Sequence, residues 1–161
     1  MKKLIYTFLI IVVLTGNSFS AGTTSGSSDG SSSYAKAKNL IKSAKKDEKK
    51  GKTEKAQKKY AKAQKFLLKS NKEKPSQANT LNYLGFTTRK LGDYKKGEEY
   101  YLLGLKIEPN HKGINEYLGE LYVVTKRIDL AKERLNVLKN CNCEEYDDLK
   151  EIIEGTKKSK Y

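Results

Sequence analysis

The sequence predicts an all-α fold, a stack of about three helical hairpins closed by a C-terminal capping helix. The tripeptide Tyr-Leu-Gly occurs at 83–85 and again at 117–119, thirty-four residues later. Only two prolines interrupt a chain rich in Lys, Glu, Leu and Ala, a composition that favours helix. A fixed period of this length is typical of stacked hairpins, since no single hairpin can bury its own apolar face.

The first twenty residues have the features of an export signal. Lys2 and Lys3 precede a mostly apolar segment at 4–14, and a Ser-Phe-Ser sequence supplies small residues for cleavage after Ser20. The apolar segment is shorter than the ~20 residues of a spanning helix. We therefore expect a signal peptide over 1–20 and a periplasmic protein whose mature chain has no transmembrane segment. An uncleaved N-terminal anchor is the alternative.

The next segment, 21–33, reads AGTTSGSSDGSSS and predicts a flexible Gly/Ser-rich linker. Such a composition cannot bury enough apolar surface to offset the entropy lost on ordering. The remaining residues, 34–161, are of ordinary size for one domain.

The segment 78–111 contains two amphipathic helical patterns joined by a turn. The buried stripe of the first helix comprises Leu81, Leu84, Gly85 and Thr88, and that of the second comprises Gly97, Tyr101 and Gly104. Gly92 is placed to end the first helix in a left-handed conformation, and Pro109 stops the second. Glycine inside a helix costs about 1 kcal/mol relative to Ala, so these glycines indicate close backbone approach.

The pattern of 78–111 resembles a tetratricopeptide repeat: Leu-Gly, Gly-Asp-Tyr, then a small residue, an aromatic, a small residue and proline. The segment 112–145 is similar to it through Leu118, Gly119, Tyr122, Ala131, Leu135 and Leu138. There Lys126 stands at the turn glycine and Cys143 at the proline. The resemblance implies a right-handed stack whose first helices form a concave groove for a protein or peptide.

A degenerate hairpin, 34–77, precedes these repeats. Its Gly51, Ala56, Tyr60 and Ala63 have the mutual spacing of Gly92, Gly97, Tyr101 and Gly104. Pro75 arrives seven residues late, which is about two helical turns, so the second helix is expected to be longer. Two of the five residues in its first apolar stripe, Ala37 and Ala44, are alanine, and we expect this hairpin to be the least stable part of the fold.

A final amphipathic helix is predicted over 144–154. Its apolar face comprises Tyr146, Leu149, Ile152 and Ile153. The acidic residues of its first turn suit the helix dipole. We expect this helix to cap the open end of the stack.

No catalytic constellation is recognisable. His111, the only histidine, lies in the turn between repeats, and local spacing implies no carboxylate, Ser or Cys partner for it. The sequence has no phosphate-binding glycine loop, metal-type histidine pair or nucleophile elbow. We expect a protein that is not an enzyme and has no cofactor or metal.

Cys141 and Cys143 are the only cysteines, separated by Asn142. In an oxidising compartment a disulfide is favoured, provided that a turn brings the two side chains together. Unpaired thiols, or a redox or cuprous-ion role, are the alternatives. Two thiolates are too few for a zinc site.

The resemblance implies that the concave groove is lined by residues of successive first helices. They are Asn79, Asn82, Phe86, Arg89, Lys90, Glu116, Glu120, Val123 and Val124. Phe86, Val123 and Val124 are alternatively plain core residues. The carboxylate clamp of the chaperone-binding members looks absent, because Tyr83, Gly113 and Tyr117 stand where part of that polar set is expected. The predicted partner is a protein or peptide of unknown identity, and not nucleic acid.

The charge distribution suggests an alternative function. Residues 34–74 carry sixteen Lys and four acids, whereas 75–161 are almost balanced. An anionic lipid or glycan surface of the cell envelope would be attracted to the basic hairpin. The candidate basic surface comprises Lys38, Lys45, Lys49, Lys55, Lys58, Lys59 and Lys62. Only three of the thirty-three basic residues are Arg, the residue that binds phosphate through two hydrogen bonds at once. This composition argues against a specific phosphate-binding site.

Overall fold

A computed structural model of the chain describes residues 32–159. Within this range seven helices follow one another. They are α1 (Ser33–Lys49), α2 (Thr53–Glu73), α3 (Ala78–Lys90), α4 (Tyr94–Ile107), α5 (Lys112–Val124), α6 (Ile128–Leu138) and α7 (Glu144–Ile153). The predicted signal peptide and residues 21–31 of the predicted linker lie outside the described residues.

Helix α1 begins at the last residue of the predicted linker, so the predicted boundary is one residue too late. Ser32 is the N-cap of α1, and its Oγ accepts a hydrogen bond of 3.2 Å from the Ala35 N–H. Serine at this position satisfies a donor that the helix itself cannot. Ser33 is therefore the first helical residue and not part of a linker.

The helices pack as adjacent pairs. Helix α1 packs on α2, α3 on α4, and α5 on α6, while α2 contacts α3 and α4 contacts α5. Helix α7 lies against α5 and α6. For residues 32–159 this confirms the predicted all-α stack of three hairpins with a capping helix. None of these seven helices is long and apolar enough to cross a membrane.

The first hairpin has the predicted long second helix. Helix α2 has 21 residues and α4 has 14. The turns before them pass through Gly51 and Gly92 with φ of 70° and 97°, which glycine adopts without the steric cost of a Cβ. The core of this hairpin includes Ala37, Ile41, Ala44, Ala56, Tyr60, Ala63 and Leu67. Its low relative stability stays a prediction.

The turn between α5 and α6 reaches the same conformation without glycine. Lys126 has φ of 61°, and the Arg127 N–H donates to the Tyr122 carbonyl at 2.7 Å. The Arg127 guanidinium makes two hydrogen bonds, of 2.9 and 2.7 Å, to the Glu98 carboxylate on α4. This bidentate pair ties the strained turn to the preceding hairpin.

Candidate functional site

Most of the predicted groove residues are buried. Asn82, Phe86, Arg89, Glu116 and Glu120 are each at most 6% exposed. The prediction that these five side chains line an accessible groove is wrong, because neighbouring side chains fill the space between the first helices.

Phe86 illustrates this filling. Its ring centroid lies 5.8 Å from that of Tyr60 and 5.3 Å from that of Tyr117. The Lys45 ammonium lies 4.4 Å from the centroid of the same ring and donates to the Tyr117 hydroxyl at 3.3 Å. A cation over an aromatic face is attracted by the ring quadrupole. Phe86 is thus a core residue, and Lys45, predicted as basic surface, is held inside the stack.

Arg89 and Glu120 form a second internal contact. The Arg89 Nη2 lies 3.3 Å from a Glu120 carboxylate oxygen, and both side chains are fully buried. Arg89 Nη1 also donates to the Tyr117 carbonyl. The Ser159 hydroxyl, beyond α7, donates to Glu120 Oε2 at 3.0 Å. The C-terminal residues therefore cover this end of the inner face.

Lys90 is also engaged within the fold. Its ammonium lies 2.6 Å from a Glu48 carboxylate oxygen, and the other Glu48 oxygen accepts from the Tyr60 hydroxyl at 2.7 Å. Burial, together with the bond to Glu48, raises the pKa of Tyr60 far above its usual value. Lys90, Glu48 and Tyr60 thus join the first two hairpins.

Three predicted groove residues remain partly or wholly accessible. Val124 is 38% exposed and Asn79 is exposed. Val123 is half-buried against the core cluster that includes Ile114 and Leu118. The Asn79 side-chain oxygen lies 3.3 Å from His111 Nε2. His111 Nδ1 in turn accepts from the Ile114 N–H at 3.1 Å, so this histidine caps α5.

Five of the seven predicted basic-surface lysines are exposed. They are Lys38, Lys49, Lys55, Lys58 and Lys62. Lys59 is not: its ammonium lies 2.5 Å from the Asp47 carboxylate and 2.6 Å from the Ser43 hydroxyl, between α1 and α2. Like Lys45, Lys59 contacts side chains within the helix stack and is not part of the exposed basic surface.

A surface cavity of about 650 Å³ lies along α2. It is lined by Lys58, Ala61, Lys62, Lys65, Phe66 and Lys69, and we call it the α2 lysine cavity. Lys58 and Lys62 belong to the predicted basic surface, whereas Lys65 and Lys69 do not. The helical spacing of the four lysines places them on one face of α2 and is the sequence signal that could have identified all four.

A further feature, not predicted from the sequence, is apolar surface on the outside of the stack. Leu102, Leu103 and Ile107 of α4 are 42%, 46% and 45% exposed. We call these three residues the outer apolar strip. Val137 of α6, 38% exposed, lies thirty-four residues after Leu103 and so occupies the equivalent position of the next hairpin.

Cys141 and Cys143 are joined as a disulfide in the structure, with 5.2 Å between their Cα atoms. Asn142 between them has φ of 44°, a left-handed conformation that asparagine tolerates. The bridge lies in the turn between α6 and α7. Across residues 32–159, no group of three His, Cys, Asp or Glu side chains is arranged to hold a metal ion.

Comparison with known proteins gives limited matches. No family model matches the chain. Over 71 residues it is 38% identical to the Sol locus transcriptional repressor of Clostridium acetobutylicum, a match that covers 44% of this chain and 22% of that protein. The chain thus spans about a fifth of the length of this curated relative. In structure it is similar to the first TPR of Spaghetti (RPAP3) bound to the HSP90 peptide SRMEEVD, with 18% identity, a TM-score of 0.49, and coverage of 76% of this chain and 94% of that one.

Proposed function

We propose that this chain is a non-catalytic scaffold that binds a protein partner on the outer side of its hairpin stack. The observation that carries the proposal is the outer apolar strip on α4. Apolar side chains grouped on one exposed helix face gain free energy when a partner removes them from water. Binding at the inner face would remove much less apolar surface from water, because the apolar and charged side chains there already contact one another.

The surroundings of the strip indicate the chemistry of the partner. Lys62 and Phe66 of α2 precede Leu103 and Ile107 by forty-one residues, the same offset that relates Gly51 to Gly92. The outer side therefore carries lysines on the first hairpin and leucines on the second. A fitting partner is an amphipathic helix with an apolar face and acidic flanks.

A crosslinked pull-down from cell extract, washed at low and at high salt, tests this proposal. We expect a discrete protein that survives high salt with the unaltered chain and is lost with Leu103→Asp. Lys106→Gln, on the same helix, is the matched control and should retain the partner. Equal recovery with Leu103→Asp and with the unaltered chain would contradict the proposal.

Export to the periplasm is part of the proposed function. The basic and apolar pattern of residues 1–20 supports it, and so does the disulfide between Cys141 and Cys143, since such bonds persist mainly in oxidising compartments. Mass spectrometry of the protein from cell envelope, with and without reductant, tests both points. We expect a chain that begins at Ala21 and gains two mass units on reduction. An intact N-terminus with two free thiols would refute export.

The α2 lysine cavity favours a second candidate function, attachment to an anionic lipid surface. Four lysines surround the apolar floor formed by Ala61 and Phe66. Vesicles with anionic lipid should bind the chain at low salt and release it as the Debye length falls below ~8 Å. Replacing the four lysines by Gln should abolish this binding, while Leu103→Asp should not. Binding that is unchanged by the lysine substitutions would exclude this candidate.

A further inference from the structure

A second cavity, of about 290 Å³, lies at the turn between α6 and α7. It is lined by Lys139, Asn140, Asn142, Cys143, Tyr146 and Asp147. The disulfide between Cys141 and Cys143 forms part of this turn, and both cysteines are only half-buried. A thiol that enters the cavity from solvent therefore meets the bridge on its Cys143 side.

The bridge is not needed to hold the capping helix in place. Leu149 is fully buried and Ile152 is 4% exposed, so α7 packs through its own apolar face. The two cysteines are only 2 positions apart in the sequence, and closing so short a loop removes little conformational entropy from the unfolded chain. The bond can therefore be broken without loss of the fold.

The backbone of the turn favours opening of the bridge. The Cys141 N–H donates to the Leu138 carbonyl at 2.9 Å, and Cys143 is the N-cap of α7, so both cysteines are attached to helix ends. Asn142 between them has φ of 44°, in a region that costs a non-glycine residue free energy. Reduction lets Asn142 leave this conformation. Disulfides that are exposed or constrained in this way are the ones that exchange with external thiols.

Acidic residues around the bridge indicate the chemistry of its partner. The first turn of α7 contains Glu144, Glu145 and Asp147. Asp147 also lines the cavity, where Lys139 is the only basic residue of the lining. A disulfide is attacked by a thiolate, and carboxylates repel that negative charge. Basic residues beside the incoming thiolate offset this repulsion, so the cavity suits a thiol with Lys or Arg neighbours.

We propose that the Cys141–Cys143 disulfide is a thiol-exchange site that oxidises a pair of cysteines on a partner protein with basic residues beside them. In the first step one partner thiolate forms a bond to Cys143 Sγ. The Cys141–Cys143 bond breaks, and its electron pair leaves with Cys141 Sγ, which takes up a proton. In the second step the other partner thiolate attacks the partner sulfur bound to Cys143. Cys143 then leaves as a thiolate and is protonated.

The exchange moves two electrons and two protons from the partner to the chain. The partner gains a disulfide and the chain is left with two thiols, so the bridge itself is the oxidant and each chain oxidises one dithiol. Because the bridge is consumed, this reaction is compatible with a non-catalytic scaffold. The site is separate from the outer apolar strip and does not rest on the function proposed above.

Oxidation of model peptides by the purified, oxidised chain tests the proposal. One peptide carries two cysteines flanked by lysines, the other carries the same cysteines flanked by glutamates, and oxidised glutathione at equal concentration is the reference oxidant. Acid quenching, alkylation and mass spectrometry measure the peptide disulfide and the reduced chain, which should form in equal amounts. We expect the lysine peptide to be oxidised about tenfold faster than by glutathione, and about fivefold faster than the glutamate peptide.

Substitutions identify the charge that sets this preference. Asp147→Asn should reduce the preference for the lysine peptide by about half. Glu133→Gln removes an exposed carboxylate of α6 that does not line the cavity, and this matched control should retain the preference. Cys143→Ser should oxidise neither peptide. The urea midpoints of the oxidised and the reduced chain should differ by less than about 0.5 M.

Two results would overturn the proposal. One is oxidation of the lysine peptide no faster than by glutathione. The other is a larger shift of the urea midpoint on reduction, because the bridge would then be a structural crosslink. A preference unchanged by Asp147→Asn would overturn the assignment of a basic partner.

Discussion

The ring of Tyr101 fills the space beside Gly85. A Cβ added to Gly85 would lie 2.4 Å from Tyr101 Cε1 and 2.6 Å from Cδ1, inside van der Waals contact. Gly119, the glycine of the second Tyr-Leu-Gly, has a different neighbour. A Cβ added to Gly119 would lie 2.5 Å from Leu149 Cδ2 of the capping helix. Each glycine admits a large side chain against the backbone of a first helix.

Gly85→Ala should therefore destabilise the protein, although alanine is the better helix former. A methyl group must displace the buried Tyr101 ring, and overpacking of this kind costs about 1–3 kcal/mol. Urea denaturation measures the change in the free energy of unfolding. The double variant Gly85→Ala/Tyr101→Leu is the control, because the smaller side chain can make room and the two effects should not add. Stabilisation by Gly85→Ala alone would contradict the close contact.

Phe86→Ala should act on stability and not specifically on binding. Truncation of a fully buried phenylalanine leaves a cavity and costs about 3–5 kcal/mol. The matched comparison is Val124→Ala on the next first helix, whose side chain is 38% exposed and should change the free energy by less than about 1 kcal/mol. Thermal and urea unfolding of both variants decide the point. A free energy of unfolding unchanged by Phe86→Ala would contradict the assignment of Phe86 to the core and would support its prediction as a groove residue.

Glu120→Gln should be destabilising because it removes a negative charge from beside the fully buried Arg89 guanidinium. Breaking one side of a buried pair typically costs about 3–5 kcal/mol, whereas replacing both partners by apolar residues of similar volume can be almost neutral. We expect Arg89→Met/Glu120→Leu to unfold at a higher urea concentration than Glu120→Gln. If the double variant is the less stable of the two, the pair contributes net stability.

Stability should fall between pH 10 and pH 12. Burial, and to a lesser extent the neighbouring Tyr83, raises the pKa of Tyr34 to about 12 from its usual value of 10. In that interval the unfolded chain loses the tyrosine proton more readily than the folded chain, so unfolding becomes more favourable as pH rises. Below pH 10 the Tyr34 hydroxyl is protonated in both the folded and the unfolded chain, and its contribution to the free energy of unfolding is fully present. Urea midpoints at pH 9, 10 and 11 test this, and Tyr34→Phe should show a shallower decline. Identical slopes for the two proteins would exclude a contribution from Tyr34.

The hairpin stack could be predicted from the sequence because its signals are local or periodic. The turn glycines, the stop at Pro109 and the recurrence of Leu-Gly each depend on a few residues and their spacing. The extra length of α2 followed from the late position of Pro75. The sequence favours the disulfide without excluding free thiols, since only the path of the chain around Asn142 decides whether the two sulfur atoms meet.

The candidate site was predicted less well, for a physical reason. Position on a first helix indicates which side chains point inward, but not whether a partner can reach them. Lys45 comes from α1 to cover Phe86 on α3, and Ser159 comes from beyond α7 to cover Glu120 on α5. These contacts join residues 39 to 41 positions apart, and no local pattern records them.

The sequence by itself determined the class of fold, the number of hairpins and the concentration of positive charge in the first of them. These follow from helix propensity, apolar periodicity and composition, which are properties of short segments. Only the tertiary structure decided which surfaces remain accessible. Burial depends on packing between helices that are distant in the chain. That packing closed the inner face and left Leu103 and Ile107 exposed on the outside.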